Sequence, residues 1–329
     1  MQRRKKWLIA GVIAPLFLWT FLAIAFFPAF PFPVGVLLAL TWAGLVAGGA
    51  RLSGCGARWL AATALGIAVI AVAHFSVSPS EIREWIPGQE QTVNATFTGE
   101  EVVIENLRNR VFAGDGSVDS LEWYSDAFRI DEVERVDFVH EILSPRGLVA
   151  HGFLTFAFSD GRYLAVSVEA RRRTGQSYNP LHGLFRNYEL IYIVGRETDL
   201  IGERANVRRN PVHVYPIRTT PENVQDLFRS VLKRAHSLRQ RPEFYNSVTN
   251  NCVTNILLHV NELTDRPLRY DLRILFPGLA DNLLHRHGLL DFEGSREEAR
   301  ERFRINDRST PLTDSREWSR QIRRPPLSD

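Results

Sequence analysis

Residues 150–171 read AHGFLTFAFSDGRYLAVSVEAR. Two runs of strand-prone residues flank Ser159-Asp160-Gly161, the pattern of a β-hairpin. Two registers compete. A two-residue loop at Asp160-Gly161 pairs residues whose numbers sum to 321. A three-residue loop pairs residues that sum to 320 and puts Gly161 at the left-handed position of a type I turn with a bulge. Only the second choice gathers Leu154, Phe156 and Phe158 on one face with Leu164, Val166 and Val168. A one-residue slip would send the two apolar rows to opposite faces, so the pattern selects the three-residue loop. The other face then holds His151, Phe153, Thr155 and Ala157 with Tyr163, Ala165, Ser167 and Glu169. This register sets His151 directly across from Glu169, with Cβ atoms about 5 Å apart. A carboxylate there can orient an imidazole and raise its basicity. A cross-strand polar pair on a solvated face is the bland alternative.

Outward from the hairpin, Thr92–Phe112 reads as strand, turn at Gly99 and strand. VERVDFVHEI, LIYIVG and VHVYPI read as further strands. Thr220 and Pro221 open a helix, with Val224, Leu227, Phe228, Val231, Leu232 and Ala235 at helical spacing. After Gly294 the chain is rich in Arg, Asp and Glu. A short helix is expected at Arg296–Phe303 and a disordered end at RRPPLSD. Strands followed by helices predict an α+β domain.

The second helix begins in YNSVTNNCVTNILLHVNEL, residues 245–263. Val253, Ile256, Leu257, Val260 and Leu263 form its apolar stripe. Thr249, Asn250 or Asn251 can cap its start, which places Cys252 in the first turn. Helix-start N–H groups favour a thiolate and can bind an oxyanion. A nucleophilic cysteine needs a base, and His151 with Glu169 is the best candidate. A buried, inert cysteine is the alternative. His259 lies about two turns beyond Cys252. His140, His182, His213 and His236 lack an evident carboxylate partner, and His285 and His287 read as a surface pair. There is no H-E-x-x-H, no C-x-x-C and no phosphate loop, so neither metal nor cofactor is expected.

The first 80 residues differ from the rest. From Trp7 to Ala50 no side chain is charged. Pro28, Pro31 and Pro33 divide this run, and a third apolar segment follows from Trp59, with His74 near its end. Three transmembrane helices are expected, at roughly 7–27, 33–50 and 59–77. A cleaved signal peptide is the competing reading of the basic start. Arg3 to Lys6, Arg51 and Arg58 place the N-terminus and the Cys55 loop in the cytoplasm. The later domain, with Cys252, then lies outside, where a lone thiol points to a reactive group. Residues 1–80 hold six basic and no acidic side chains, leaving 34 basic against 37 acidic in the remainder. The formal +3 of the chain therefore belongs to the anchor, and a nucleic-acid partner loses its main support.

The hairpin, NYELIYIVGRETDLI, VYPI and PEFYNSVTNNCVTNI together resemble the periplasmic domain of the Lnb-type lipoprotein N-acyltransferase family, over about Thr92 to Leu263. The resemblance implies a permuted papain-like fold, an antiparallel sheet with packed helices, related in layout to NlpC-type peptidases. It implies Cys252 as nucleophile, His151 as base and Glu169 as its orienting partner. Arg171 would support the site or contact substrate, and Tyr245 and Asn251 would shape the cysteine turn. The family's chemistry moves an acyl chain from the glyceryl group of a bacterial lipoprotein to its N-terminal amine. The expected layout is a membrane anchor (1–80), a periplasmic or extracellular catalytic domain (81–293) and a charged, partly disordered tail (294–329). The expected setting is the bacterial inner membrane, with a membrane lipid or lipoprotein as substrate. The rivals are a cysteine hydrolase of envelope substrates (peptidase, amidase or lipase) and a non-enzymatic binding module.

Overall fold

A computed structural model describes residues 2–54, 56–80, 82–264, 267–268, 277–310 and 315–325, with side chains from residue 14 onward. Cys55 falls outside them. The chain opens with α1 (Gln2–Ala25), α2 (Phe32–Ser53) and α3 (Ala57–Ser76). Among the described residues, two helices, α2 and α3, are long and apolar enough to cross a bilayer. The described apolar part of α1 is Ala14–Ala25, shorter than the about 20 residues a span requires. The expectation of three spans is therefore corrected to two. The first helix starts at Gln2 and includes the basic run Arg3–Lys6, with Pro15 inside it. α2 packs closely on the end of α1: a Cβ on Gly35 would stand 2.4 Å from the Ala25 carbonyl oxygen.

The domain then builds β1 (Asn94–Thr98), β2 (Glu101–Phe112), β3 (Val118–Arg129), β4 (Val133–Ile142), β5 (Ala150–Phe158), β6 (Tyr163–Arg171), α4 (Pro180–Gly183), β7 (Glu189–Gly195), α5 (Glu197–Gly202), β8 (Val212–Pro216), α6 (Pro221–Gln240), α7 (Cys252–Glu262), α8 (Ala280–Arg286), α9 (Arg296–Phe303) and α10 (Ser315–Gln321). The strands form one eight-stranded sheet in the order β1-β2-β7-β6-β5-β4-β8, with β3 also paired to β2. The sheet is mixed rather than antiparallel throughout, because β2 meets β7 in parallel at Arg108 and Gly195. Gly195 permits that approach, since a Cβ there would lie 2.2 Å from the Arg108 carbonyl oxygen.

The β5–β6 hairpin pairs Leu154 with Val166, Thr155 with Ala165, Phe156 with Leu164 and Ala157 with Tyr163. Each pair sums to 320, and Gly161 has φ 80°, as the three-residue loop requires. Leu154, Phe156, Phe158, Leu164, Val166 and Val168 are buried in one cluster with Val224, Leu227, Phe228 and Val231 of α6 and Cys252 and Val253 of α7. Phe153 and Ala165 of the opposite face pack with Ile191, Ile193, Leu200, Trp318 and Ile322. Both faces of the sheet are thus covered, which explains the near-continuous burial of β4 to β7.

The tail belongs to this body. Its helix α9 spans the residues read from the sequence, but residues 296–310 and 315–325 dock rather than trail away. Trp318 is fully buried. Arg296 and Arg300 pair with buried Asp281, and Arg323 pairs with Glu197 and Asp137. These charges are paired with carboxylates of the domain, whereas the sequence reading expected a charged, partly disordered tail. Residues 326–329 lie outside the described residues.

Candidate active site

Asn251 caps α7. Its side chain accepts from the Thr254 N–H at 3.0 Å, and the Thr254 hydroxyl accepts from the Asn251 N–H at 2.7 Å. This reciprocal box fixes the helix start and makes Cys252 its first residue. A second anchor runs from the Asn251 amide to the Ser247 carbonyl, 2.9 Å. Tyr245 is buried beneath the turn, with its hydroxyl 3.2 Å from that of Tyr178.

Cys252 opens on a cavity of about 510 Å³, shared with His151, Glu169, Tyr245 and Asn251. That volume lies in the range of small-molecule sites, about 300–1,000 Å³. The cysteine packs with the apolar face of the sheet, whereas the His151 ring stacks on Phe153 of the other face. Both nevertheless line the same cavity. The β5–β6 ladder stops at Leu154 and Val166, and beyond it the strands part.

That ending corrects the expected direct opposition of His151 and Glu169. The two share a face, but Ser167 stands between them. His151 Nε2 lies 2.8 Å from Ser167 Oγ, and Ser167 Oγ donates to Glu169 Oε1 at 3.0 Å. Arg204 holds the same oxygen at 2.8 Å and faces Glu141 at 3.0 Å. Glu141 is fully buried and sits directly opposite His151 in the β4–β5 ladder. Arg204 lies in a π-helical turn, Glu203–Val207, an irregularity frequent at functional sites. Arg171 does not line the cavity. It is buried behind it, donating to the Gln89 and Glu90 carbonyls, both at 2.8 Å, and lying 4.1 Å over the Trp85 ring. Gln89 in turn donates to Glu169 at 3.1 Å, so Arg171 supports the site at one remove.

The sequence reading missed Ser167, Arg204, Glu141 and Gln89. Ser167 was legible, since the register already placed it on the face of His151 and Glu169. Arg204, Glu141 and Gln89 arrive from other elements and carry no local signal.

The electrostatics differ from a preformed ion pair. Burial pushes the Cys252 thiol up. The backbone amides of Gly152, Val253 and Cys252 itself pull it down, and burial prevails. The expected depressed thiol is therefore not what the resting site holds. Burial, then the charge of Arg204, pushes His151 down to about 4. Burial opposes the charge on Glu169, but Arg204 and Arg108 hold its carboxyl well below the usual range. The resting cavity is lined by a neutral thiol, a neutral imidazole and an ionised carboxylate. Among the described residues, no group of three His, Cys, Asp or Glu is placed to hold a metal ion.

Residues 119–278 match the family model of the Lnb N-terminal periplasmic domain. The chain carries a domain of the Lnb family. Cys252, His151 and Glu169 all fall inside the matched Lnb segment, as does Arg204. With α2 and α3 ahead of the Lnb domain, the chain is a membrane-associated protein of the cell envelope. No curated protein and no solved structure matches it.

Proposed function

We propose that this chain is a thiol-dependent acyltransferase, anchored in the bacterial inner membrane, that acts on lipoproteins or lipids at its outer face. The observation that carries the proposal is the shared cavity: a helix-start cysteine, a histidine and an Arg-paired carboxylate converge on about 510 Å³. The order His151, Glu169, Cys252 supports a permuted papain-like layout. In the proposed reaction the Cys252 thiol gives its proton to His151 as sulfur attacks an ester carbonyl. The backbone amides that already favour charge at the sulfur offer donors for the oxyanion. His151 returns the proton to the departing glyceryl oxygen, leaving a thioester. An amine then attacks, its proton passes to His151 and on to the sulfur, and the products are an amide and a free thiol.

Two further features favour a membrane-borne substrate. Leu143, Leu148, Val149 and Tyr178 line the cavity and remain exposed, an apolar rim of the kind that receives lipid or protein. The segment around α4 joins the site to the anchor. Pro180 lines the cavity, while His182 and Phe185 pack on Phe26, 5.0 and 5.5 Å between ring centroids. Asn187 and Arg186 add bonds to the Phe26, Phe75 and Val77 carbonyls. The domain-facing ends of α1, α2 and α3 thus lie beside the site. In this arrangement the loop after α2, flanked by Arg51 and Arg58, is cytoplasmic. A reporter fused at Gly54 is expected to be active only inside the cell, and external activity would reverse the orientation.

A cysteine hydrolase is the second reading, since water can replace the amine without any new residue. Fragment-ion mass spectrometry of the lipidated N-termini of membrane lipoproteins, from cells with and without the protein, locates each acyl chain and separates the two. Relocation of one acyl chain at constant mass supports transfer, net loss of a chain supports hydrolysis, and unchanged lipoproteins contradict both for this substrate class.

A further inference from the structure

We propose that Arg204 and Ser167 are positioning residues that fix the tautomer of His151, so that Nδ1 is the atom that accepts the Cys252 proton. The inference rests on the acyl-transfer reading and follows from counting hydrogens. Ser167 has one hydroxyl hydrogen and two neighbours that compete for it: His151 Nε2 at 2.8 Å and Glu169 Oε1 at 3.0 Å. An ionised carboxylate can only accept. Glu169 is ionised beside Arg204, 2.8 Å away, so the hydroxyl hydrogen goes to Glu169. Arg204 also points a donor at Ser167 Oγ from 3.4 Å, which occupies a lone pair rather than supplying an acceptor. Ser167 Oγ must then accept from His151, and Nε2 carries the proton. The lone pair that remains is on Nδ1.

Arg204 is suited to this task. It is 2 % exposed, its guanidinium lies 4.7 Å over the Phe153 ring, and it donates to the Leu200 carbonyl. It therefore cannot follow substrate in and out. The groups that face His151 come from four elements: Glu141 of β4, Ser167 and Glu169 of β6, and Arg204 and Arg208 of the π turn and its end, with Phe153 on its own strand. Arg204 touches both carboxylates, Glu141 at 3.0 Å and Glu169 at 2.8 Å. Without its charge, Glu169 can take a proton, the Ser167 hydroxyl can turn, and either ring nitrogen of His151 can carry the hydrogen. A wrong tautomer leaves the geometry intact and still removes the base.

The test is nitrogen NMR of the full-length protein carrying 15N-labelled histidine, which distinguishes a protonated from a bare ring nitrogen. Iodoacetamide alkylation of Cys252 across pH is measured alongside. The wild type is expected to show His151 protonated at Nε2. Ser167→Ala and Arg204→Gln should each give a tautomer mixture and slow alkylation by about 10- to 100-fold, up to the low end of what a positioned base contributes. Arg204→Lys should restore part of both. Protonation at Nδ1 in the wild type overturns the proposal, as does a Ser167→Ala protein with unchanged tautomer and alkylation profile. Should Arg204→Gln fail to fold, Ser167→Ala decides the relay, because it removes one oxygen and leaves the buried ion pairs in place. The NMR readout needs no turnover. Retained acyl transfer in Cys252→Ser would therefore sink the function and leave the tautomer claim standing.

Discussion

Cys252 shows why a helix start is not by itself a reactive site. Three backbone amides favour its thiolate, yet enclosure in the core raises its pKa. A dipole contribution of about 0.3–1 kcal/mol is small against the desolvation of a charge. Iodoacetamide should accordingly modify Cys252 more slowly than a free thiol at pH 6, with a rate that climbs through pH 9. Faster alkylation at pH 6 would reveal a thiolate–imidazolium pair and contradict the neutral resting state. That Cys252 opens α7 was legible from a cap before an apolar stripe, and the face of His151 from hairpin arithmetic. The Ser167 bridge was not drawn, because it depends on where the ladder ends, and register fixes only how strands pair, not how far. The thiol's environment was not legible either, since its enclosure comes from Gly152 and the sheet beneath.

Among the elements, the strands of the central hairpin and its neighbours followed from alternation and turn chemistry, and α6 from its cap and apolar spacing. β3 escaped because VDSLEWYSDAFR carries polar residues on both faces and packs at the margin, its residues half-buried or exposed except Phe128. The parallel join of β2 to β7 escaped because it rests on one glycine contact across distant segments. The start of α7 is a separate energetic unit. Asn251→Ala removes the cap bond to Thr254 and the tie to Ser247 together. It should cost about 1–2 kcal/mol, or a fall of a few degrees in Tm, about 2–4 °C per kcal/mol for a domain of this size. It should also impair Cys252 alkylation, because the turn that presents the sulfur would fray. A Tm and an alkylation rate both equal to wild type would show that the turn is held by other contacts.

At the scale of the whole molecule, burial of titratable groups makes the fold sensitive to acid. His151, His213 and His259 are each pushed down to about 4, in every case chiefly by burial. Unfolded, each would titrate near 6.5. Between pH 6.5 and about 4 the unfolded chain therefore binds protons that the folded chain refuses, and stability falls as pH falls. The slope approaches about 1.4 kcal/mol per pH unit for each histidine. Glu169, Glu197 and Glu203, all held low by arginines against the cost of burial, add to the loss below the ordinary glutamate range. Thermal unfolding should show Tm dropping steadily from pH 6.5 to 4.5, and a flat profile would mean that these histidines are solvated or charged in the fold. The docked tail, with Arg323 on Glu197 and Asp137, ties that part of the chain to the face opposite Cys252. The central claim is that Cys252 carries the acyl group, and intact mass of the purified full-length protein after brief incubation with a diacylglyceryl lipopeptide tests it most directly. The account predicts a gain of one acyl chain, mapped to Cys252, released by hydroxylamine and absent in Cys252→Ala. Turnover of the lipopeptide by Cys252→Ala at the wild-type rate, with no adduct on either protein, would contradict it.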